Sequence, residues 1–485
     1  MNTINSPSKV HFRRFTLNRV EKYRLIKKLN LKNVKKIEMP LSEDIILDDP
    51  LLLEFNKFLL KYRVYNTLDF TDGLIGFEKM KIQKQILIVK RQSRIKKLII
   101  PLGRFSSESL DTQRTVLWAR RTKNLKHLDC TKPEYRYNPN IKSLDNDLFF
   151  WKVIRRNRLE VLNINQINQG ILAGESTTFG LKLNNSPSTV KELCLKNTTK
   201  EVTSIGKDPK ISLNSLKNLK SINLLLYPDM KLWKTLLISI PNPNQLVKLH
   251  LHTFGKLKKD FNLSYFNLQE NNQVRILELI FHKVPKDLDN FTKSFQNGKL
   301  KILKVSVNKL SLTLKESWSW IIDLLDNNPE LEKIKIKLSY PVNDTNTEDK
   351  FYKSLTKQIS KLNQLKKLKL SLDDTDPNSA AGTVFSIKEL YKLKNIEEIL
   401  FESNCMAAQM WDDFIELSQH FSSNLKKLKL DLRKATPDMS YSKQLRSFIR
   451  SLTAIEVLEL KSFEIPSAES WKKFVNCFTG LKNLR

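Results

Sequence analysis

The side chains in this sequence with chemical potential are mostly lysines, joined by a few histidines and cysteines. His250 and His252 are two residues apart, so on a strand both imidazoles face the same side, and His282 falls near the equivalent face further along. A zinc ion would need further ligands at about 2 Å, and no Cys or paired carboxylate is spaced to supply them, so exposed strand histidines are expected and no metal. Cys130, Cys194, Cys405 and Cys477 lie 64, 211 and 72 residues apart, which suits neither a zinc knuckle nor a dense disulfide frame and implies reduced thiols. The 11 glycines are scattered, and none falls in a phosphate-loop or dinucleotide-loop spacing. His-Glu-x-x-His and Gly-x-Ser-x-Gly are also missing. Neither an enzyme nor a cofactor is expected.

The lysines are ordered. Apolar and cationic residues alternate around Lys304, through Lys333, Lys335 and Lys337, and again at Lys367 and Lys369 and at Lys427 and Lys429. On strands this alternation sends the apolar side chains into a core and the ammonium groups onto the opposite surface. Glu398, Glu402 and Glu459 interrupt the pattern, so the surface is a mixed patch. It holds no interleaved aromatic residues, which argues against a groove that stacks bases. These eight lysines are the candidate partner-binding residues, and the partner they suit is a protein, acidic in character.

A second basic feature is the run from Lys9 to Lys36, which has eleven lysines and arginines against the single acid Glu21. Phe15, Val20, Tyr23, Ile26 and Leu29 recur there at three- to five-residue steps, consistent with a basic amphipathic helix. The net charge of +33 is concentrated toward this end: residues 1–300 carry 54 Lys+Arg and 27 Asp+Glu, residues 301–485 carry 30 and 24. Nucleic acid or an anionic membrane bound through Lys9–Lys36 is therefore the alternative functional reading. Lysine outnumbers arginine 64 to 20, a bias that coding composition alone can produce, so total charge weighs little. No uncharged stretch reaches the roughly 18 residues of a spanning helix. The N-terminus lacks the apolar core of a secretion signal, so an intracellular, more cytoplasmic than nuclear, location is expected.

What must position these residues is a repeat. The pattern apolar, two residues, apolar, one residue, apolar recurs as Leu219–Ile222–Leu224, Leu246–Leu249–Leu251, Val274–Leu277–Leu279, Leu300–Leu303–Val305, Leu331–Ile334–Ile336, Leu365–Leu368–Leu370, Ile396–Ile399–Phe401, Leu425–Leu428–Leu430 and Ile455–Leu458–Leu460. Looser copies begin at Val34, Tyr65, Ile95, Leu125, Leu159 and Val190, and a last one at Leu481, so sixteen starts stand 26 to 34 residues apart. Each copy reads as a short strand followed by room for one helix. Helical spacing shows in Leu288, Phe291 and Phe295, in Phe351, Leu355, Ile359 and Leu362, and in Leu445, Phe448, Ile449 and Leu452. Trp233, Trp318 and Trp411 precede the next strand start by 13, 13 and 14 residues, as packing wedges would.

This pattern resembles the leucine-rich-repeat family, in its long, helix-bearing, ribonuclease-inhibitor-like class. Asn404 and Met406, after Ile396–Ile399–Phe401, match the family's extension of the strand motif. The resemblance implies an α/β solenoid of about sixteen repeats, a curved parallel sheet with outer helices. It further implies a non-enzymatic scaffold that binds a protein through its concave face and loops. The expected organisation is a basic cap over 1–30, irregular repeats over 31–189 and regular repeats over 190–485. The array stops at Gly480-Leu-Lys-Asn-Leu-Arg485, the opening of another copy, which implies truncation or a partner over that end. A third reading is a ubiquitin-ligase substrate receptor, from a faint likeness of residues 39–60 to an adaptor-binding box.

Overall fold

In a computed structural model of the chain, residues 1–158 are described only at five short strands and at residue 126. From residue 159 on, the described residues leave out chiefly 166–188, 198–212, 227–229, 254–262, 311–317, 341–344, 375–387, 404–419, 433–440 and 462–471. The chain divides into two compact units, Met1–Leu226 with Lys231–Asn242, and Tyr227–Met230 with Pro243–Arg485.

In the first unit, β1 (Lys9–His11) and β2 (Lys36–Glu38) pair in parallel as a small sheet of their own. Six strands then follow in chain order, each parallel to the one before: β3 (Thr67–Asp69), β4 (Lys97–Ile99), β5 (His127–Cys130), β6 (Val161–Asn165), β7 (Glu192–Asn197) and β8 (Ser221–Leu226). The second unit repeats the arrangement with β9 (Lys248–Thr253), β10 (Ile276–Lys283), β11 (Ile302–Lys309), β12 (Lys333–Tyr340), β13 (Lys367–Asp374), β14 (Glu398–Ser403), β15 (Lys427–Leu432) and β16 (Val457–Lys461). This is the one-strand-per-repeat parallel ladder that the periodicity implies.

The apolar starts explain where the strands begin. From Val34 to Ile455, every start is followed two residues later by the first residue of a strand. Leu246, Val274, Leu300, Leu331 and Leu365 are fully buried, as are the inward residues of β8 and β9, whose burial alternates strictly. Leu481 opens no strand among the described residues, yet it is buried and its N–H donates to the Phe478 carbonyl (3.0 Å), the same turn that precedes Leu331, Leu365 and Ile455.

Helices lie between the strands: α1 (Met230–Ile238), α2 (Leu288–Lys293), α3 (Ser319–Asp326), α4 (Thr345–Ser360) and α5 (Tyr441–Ser451). They bury the residues picked out by helical spacing, among them Phe291, Phe351, Leu355, Ile359, Phe448 and Ile449, each contributing about 1.5–3 kcal/mol by leaving water. Trp233 and Trp318 are buried, and the Trp318 ring meets Phe351 edge-on at 5.3 Å, consistent with a wedge between successive helices. Trp411, Asn404, Met406 and residues 39–60 lie outside the described residues. The run Lys9–Lys36, read as a basic helix, opens in β1 and closes in β2, and residues 12–35 lie outside the described residues. Strand at both ends fits the alternation of Lys9-Val-His11 and Lys36-Ile-Glu38, a period that competes with the helical one.

Buried asparagines fasten one repeat to the next. The Asn328 amide donates to the carbonyls of Phe295 (2.9 Å) and Leu324 (2.8 Å), and its oxygen accepts from the Leu300 N–H (3.2 Å). Asn272 joins Gln269, Ser294 and Val274 in the same way. Replacing Asn328 by Ala leaves three buried backbone groups without partners, at about 1–3 kcal/mol for each unsatisfied group. Asn328→Ala is expected to lower the urea midpoint of the chain by an amount corresponding to about 3 kcal/mol, and an unchanged midpoint contradicts this role.

Candidate functional site

The open face of the second unit is built from the residues that alternate with the core positions. Its register aligns them in three rows across β9 to β16. The first runs Lys248, Ile276, Ile302, Lys333, Lys367, Glu398, Lys427, Val457. The second runs His250, Glu278, Lys304, Lys335, Lys369, Leu400, Lys429, Glu459. The third runs His252, Ile280, Ser306, Lys337, Ser371, Glu402, Asp431, Lys461. All eight candidate lysines occupy these rows, and each is half-buried or exposed.

Adjacent strands are about 4.8 Å apart, so neighbouring lysines in a row repel one another unless acids intervene. At five of the eight positions they do. Lys304 pairs with Glu278 (2.7 Å), Lys369 with Glu402 on the next strand (3.1 Å) and Lys429 with Glu459 (3.2 Å). Lys367 and Lys427 share Glu398 at 3.0 and 3.3 Å. Exposed pairs of this kind contribute only about 0.2–1 kcal/mol each, so their main effect is to cancel charge on the face.

The exceptions are Lys333, Lys335 and Lys337, three of the four residues of β12 that alternate with its core positions, which make no ion pair among the described residues. Burial pulls Lys335 below the ordinary lysine range, repulsion from Lys369 and Lys304 adds to this, and attraction from Glu278 and Glu402 opposes it. Thus β12 is a cationic stripe one strand wide, with compensated lysines on both sides.

Next to the stripe the face turns apolar. Ile276 and Ile302 are neighbours in the first row, Ile280 stands in the third, and all three are half-buried. The motif reading missed them because it treats the positions between core residues as polar. The signal was present in the run Val274-Arg-Ile-Leu-Glu-Leu-Ile-Phe281, where strict alternation fails.

His250 and His252 share the open face, and His282 stands on it one strand later. The His250 Nδ1 lies 3.4 Å from Glu278 Oε2, and its buried Nε2 has no hydrogen-bond partner. Among the described residues no three His, Cys, Asp or Glu side chains cluster as metal ligands, and no helix is long and apolar enough to cross a membrane.

Two titrations test this electrostatic map. Burial holds the His250 imidazole below its ordinary 6.5, with Lys304 and Lys248 adding and Glu278 opposing. The unfolded chain then binds more protons between the two values, so this contribution to stability is complete above pH 6.5 and is lost as pH falls through the folded value. His250→Gln is expected to flatten that part of a stability–pH profile from urea unfolding, and an unaltered slope refutes the assignment. Burial acts to raise the Glu398 pKa, but the hydrogen bonds and charges of Lys367 and Lys427 outweigh it and keep the carboxyl below its ordinary 4.5. In the double variant Lys367→Gln/Lys427→Gln, burial acts alone and the Glu398 carboxyl titrates higher by NMR; a downward move contradicts the shared pairing.

No protein-family model matches the sequence, and no curated protein matches it. Among solved structures, the chain is similar to TLR13 in its ssRNA13 complex at 13% identity and a TM-score of 0.34, covering 83% of this chain and 55% of that one. It is similar to a Bacteroides fragilis protein at 14% identity and a TM-score of 0.32, covering 61% and 70%. The leucine-rich repeat-containing protein LegL7 from Legionella pneumophila aligns at 12% identity and a TM-score of 0.27, covering 80% and 94%. The chain thus spans about half the length of the TLR13 structure.

Proposed function

We propose that this chain, a leucine-rich-repeat protein by fold, is a non-catalytic scaffold that holds a protein partner on the open face of its second unit. The observation that supports this reading is the uncompensated stripe of Lys333, Lys335 and Lys337 between strands whose lysines are neutralised. A set of cations serving solubility alone would need no such focus. The partner's carboxylates meet the β12 lysines, and its apolar side chains cover Ile276, Ile280 and Ile302. Apolar anchors beside charges that select the partner are how protein interfaces divide affinity from specificity.

Magnitudes add a condition. Seven inter-strand steps of about 4.8 Å make the face about 34 Å wide, and three rows at two-residue spacing make it about 14 Å deep. That is roughly 500 Å², short of the approximately 800 Å² that one partner contributes to a standard interface. The loops at the strand ends must therefore join the contact.

The test compares partners recovered from native cells by the intact chain and by the variant Lys333→Glu/Lys335→Glu/Lys337→Glu. Because the three ammonium groups point away from the core, the variant keeps its fold. Loss of the partner, with at least about tenfold weaker binding when it is remeasured in pure form, is the expected outcome. Equal recovery by both proteins removes β12 as the site.

A further inference from the structure

The second unit also has a cleft, lined by none of the open-face residues. It has a volume of about 900 Å³ and opens between the end of α4, the turn Lys388–Lys392 and the residues just before β15. Its walls carry Lys357, Lys361, Lys392 and Lys394 together with Tyr391 and His420, and no carboxylate lines it among the described residues. The volume lies in the range of small-ligand sites.

Its framework is held by hydrogen bonds across three successive repeats. The Asn395 amide donates to the Asn363 carbonyl (2.7 Å), and the Asn424 amide donates to the Lys394 carbonyl (2.8 Å). Lys361 pairs with Asp326 at 3.1 Å, and Lys392 pairs with Glu389. Lys357 and Lys394 make no ion pair among the described residues. The Tyr391 ring is 44% exposed, its centroid lies 5.6 Å from that of His420 at an inclination of 42°, and the Lys392 ammonium is 5.4 Å from the same ring.

Each part of this arrangement narrows the ligand. Uncompensated lysines attract an anion. Two exposed rings, one with an ammonium at its face, offer stacking and cation–π contact that water does not satisfy. An acidic peptide meets the lysines and leaves the rings bare, whereas an apolar segment covers the rings and buries the lysines at high cost. A phosphate joined to a flat ring answers both. We propose that this cleft binds a nucleotide unit, with its phosphate on Lys357 and Lys394 and its base against the Tyr391–His420 pair. The site does not depend on the protein-binding role of the open face.

The experiment uses the full chain and two probes: AMP, and a fluorescein-labelled ten-nucleotide single-stranded oligouridylate followed by anisotropy over a range of salt. Tyr391→Ala is expected to weaken binding about tenfold, while Tyr391→Phe, which keeps the ring, binds as the unaltered chain does. Lys357→Ala/Lys394→Ala is expected to reduce the salt slope by roughly one. Competition by AMP shows that a free nucleotide suffices. Binding of the oligonucleotide alone, with the same sensitivity to these variants, places the nucleotide within a strand. The proposal is overturned if neither probe binds. It is equally overturned if the probe binds but ignores the Tyr391 and lysine variants, as when the Lys9–Lys36 region holds the phosphates.

Discussion

One carbonyl per repeat carries the architecture. At most strands whose preceding residue is described, the carbonyl of that residue accepts from two consecutive N–H groups of the following repeat. Arg275 accepts from Lys301 and Ile302 at 2.8 and 3.0 Å, Lys301 from Glu332 and Lys333 at 2.9 and 3.1 Å, and Glu332 from Lys366 and Lys367 at 2.9 and 3.1 Å. Lys366, Glu397 and Lys426 continue the series, and Lys126, Glu160 and Lys191 show it in the first unit. The fork fixes where each strand begins against its neighbour. Because side chains alternate with period two, a slip of one residue would drive Lys333, Lys335 and Lys337 into the core and expose Ile334 and Ile336. Every row of the open face depends on these forks holding register.

Much of this was legible in the sequence because it is local and periodic. The apolar starts mark the strands since burial demands alternation, and the spacing around Phe351 and Phe448 marks α4 and α5 since one helix face must be dry. What could not be read is set between residues about thirty positions apart. Lys304 makes an ion pair and Lys335 does not, although both stand in Lys-apolar alternation. Glu278 on the neighbouring strand pairs with Lys304 at 2.7 Å, whereas Glu278 and Glu402 attract Lys335 only from beyond ion-pair distance. Periodicity predicts which way a lysine points and says nothing of what it meets.

The same limit applies to the polar interior and to the cleft. The family resemblance places its asparagine after the strand, at Asn404. The asparagines that tie the described repeats together, Asn272 and Asn328, sit before it, where the chain leaves a helix and several carbonyls lack helical partners. Tyr391 and His420 are 29 residues apart and belong to no motif, so only the folded chain brings their rings together. Chemistry that spans repeats is written in no single repeat.

From Lys301 on, the forked carbonyls belong to residues that alternate in sign, Lys301, Glu332, Lys366, Glu397 and Lys426, and Glu456 follows at the same place before the next strand. Lys301 and Lys366 both approach Glu332, at 4.0 and 3.4 Å, and Lys426 approaches Glu397 at 3.7 Å. A parity follows. Excising one copy from this stretch would set two like charges side by side at the splice, whereas excising two leaves the alternation whole. By this weak but cumulative preference, the stretch tolerates gain or loss of copies more readily in even numbers than in odd.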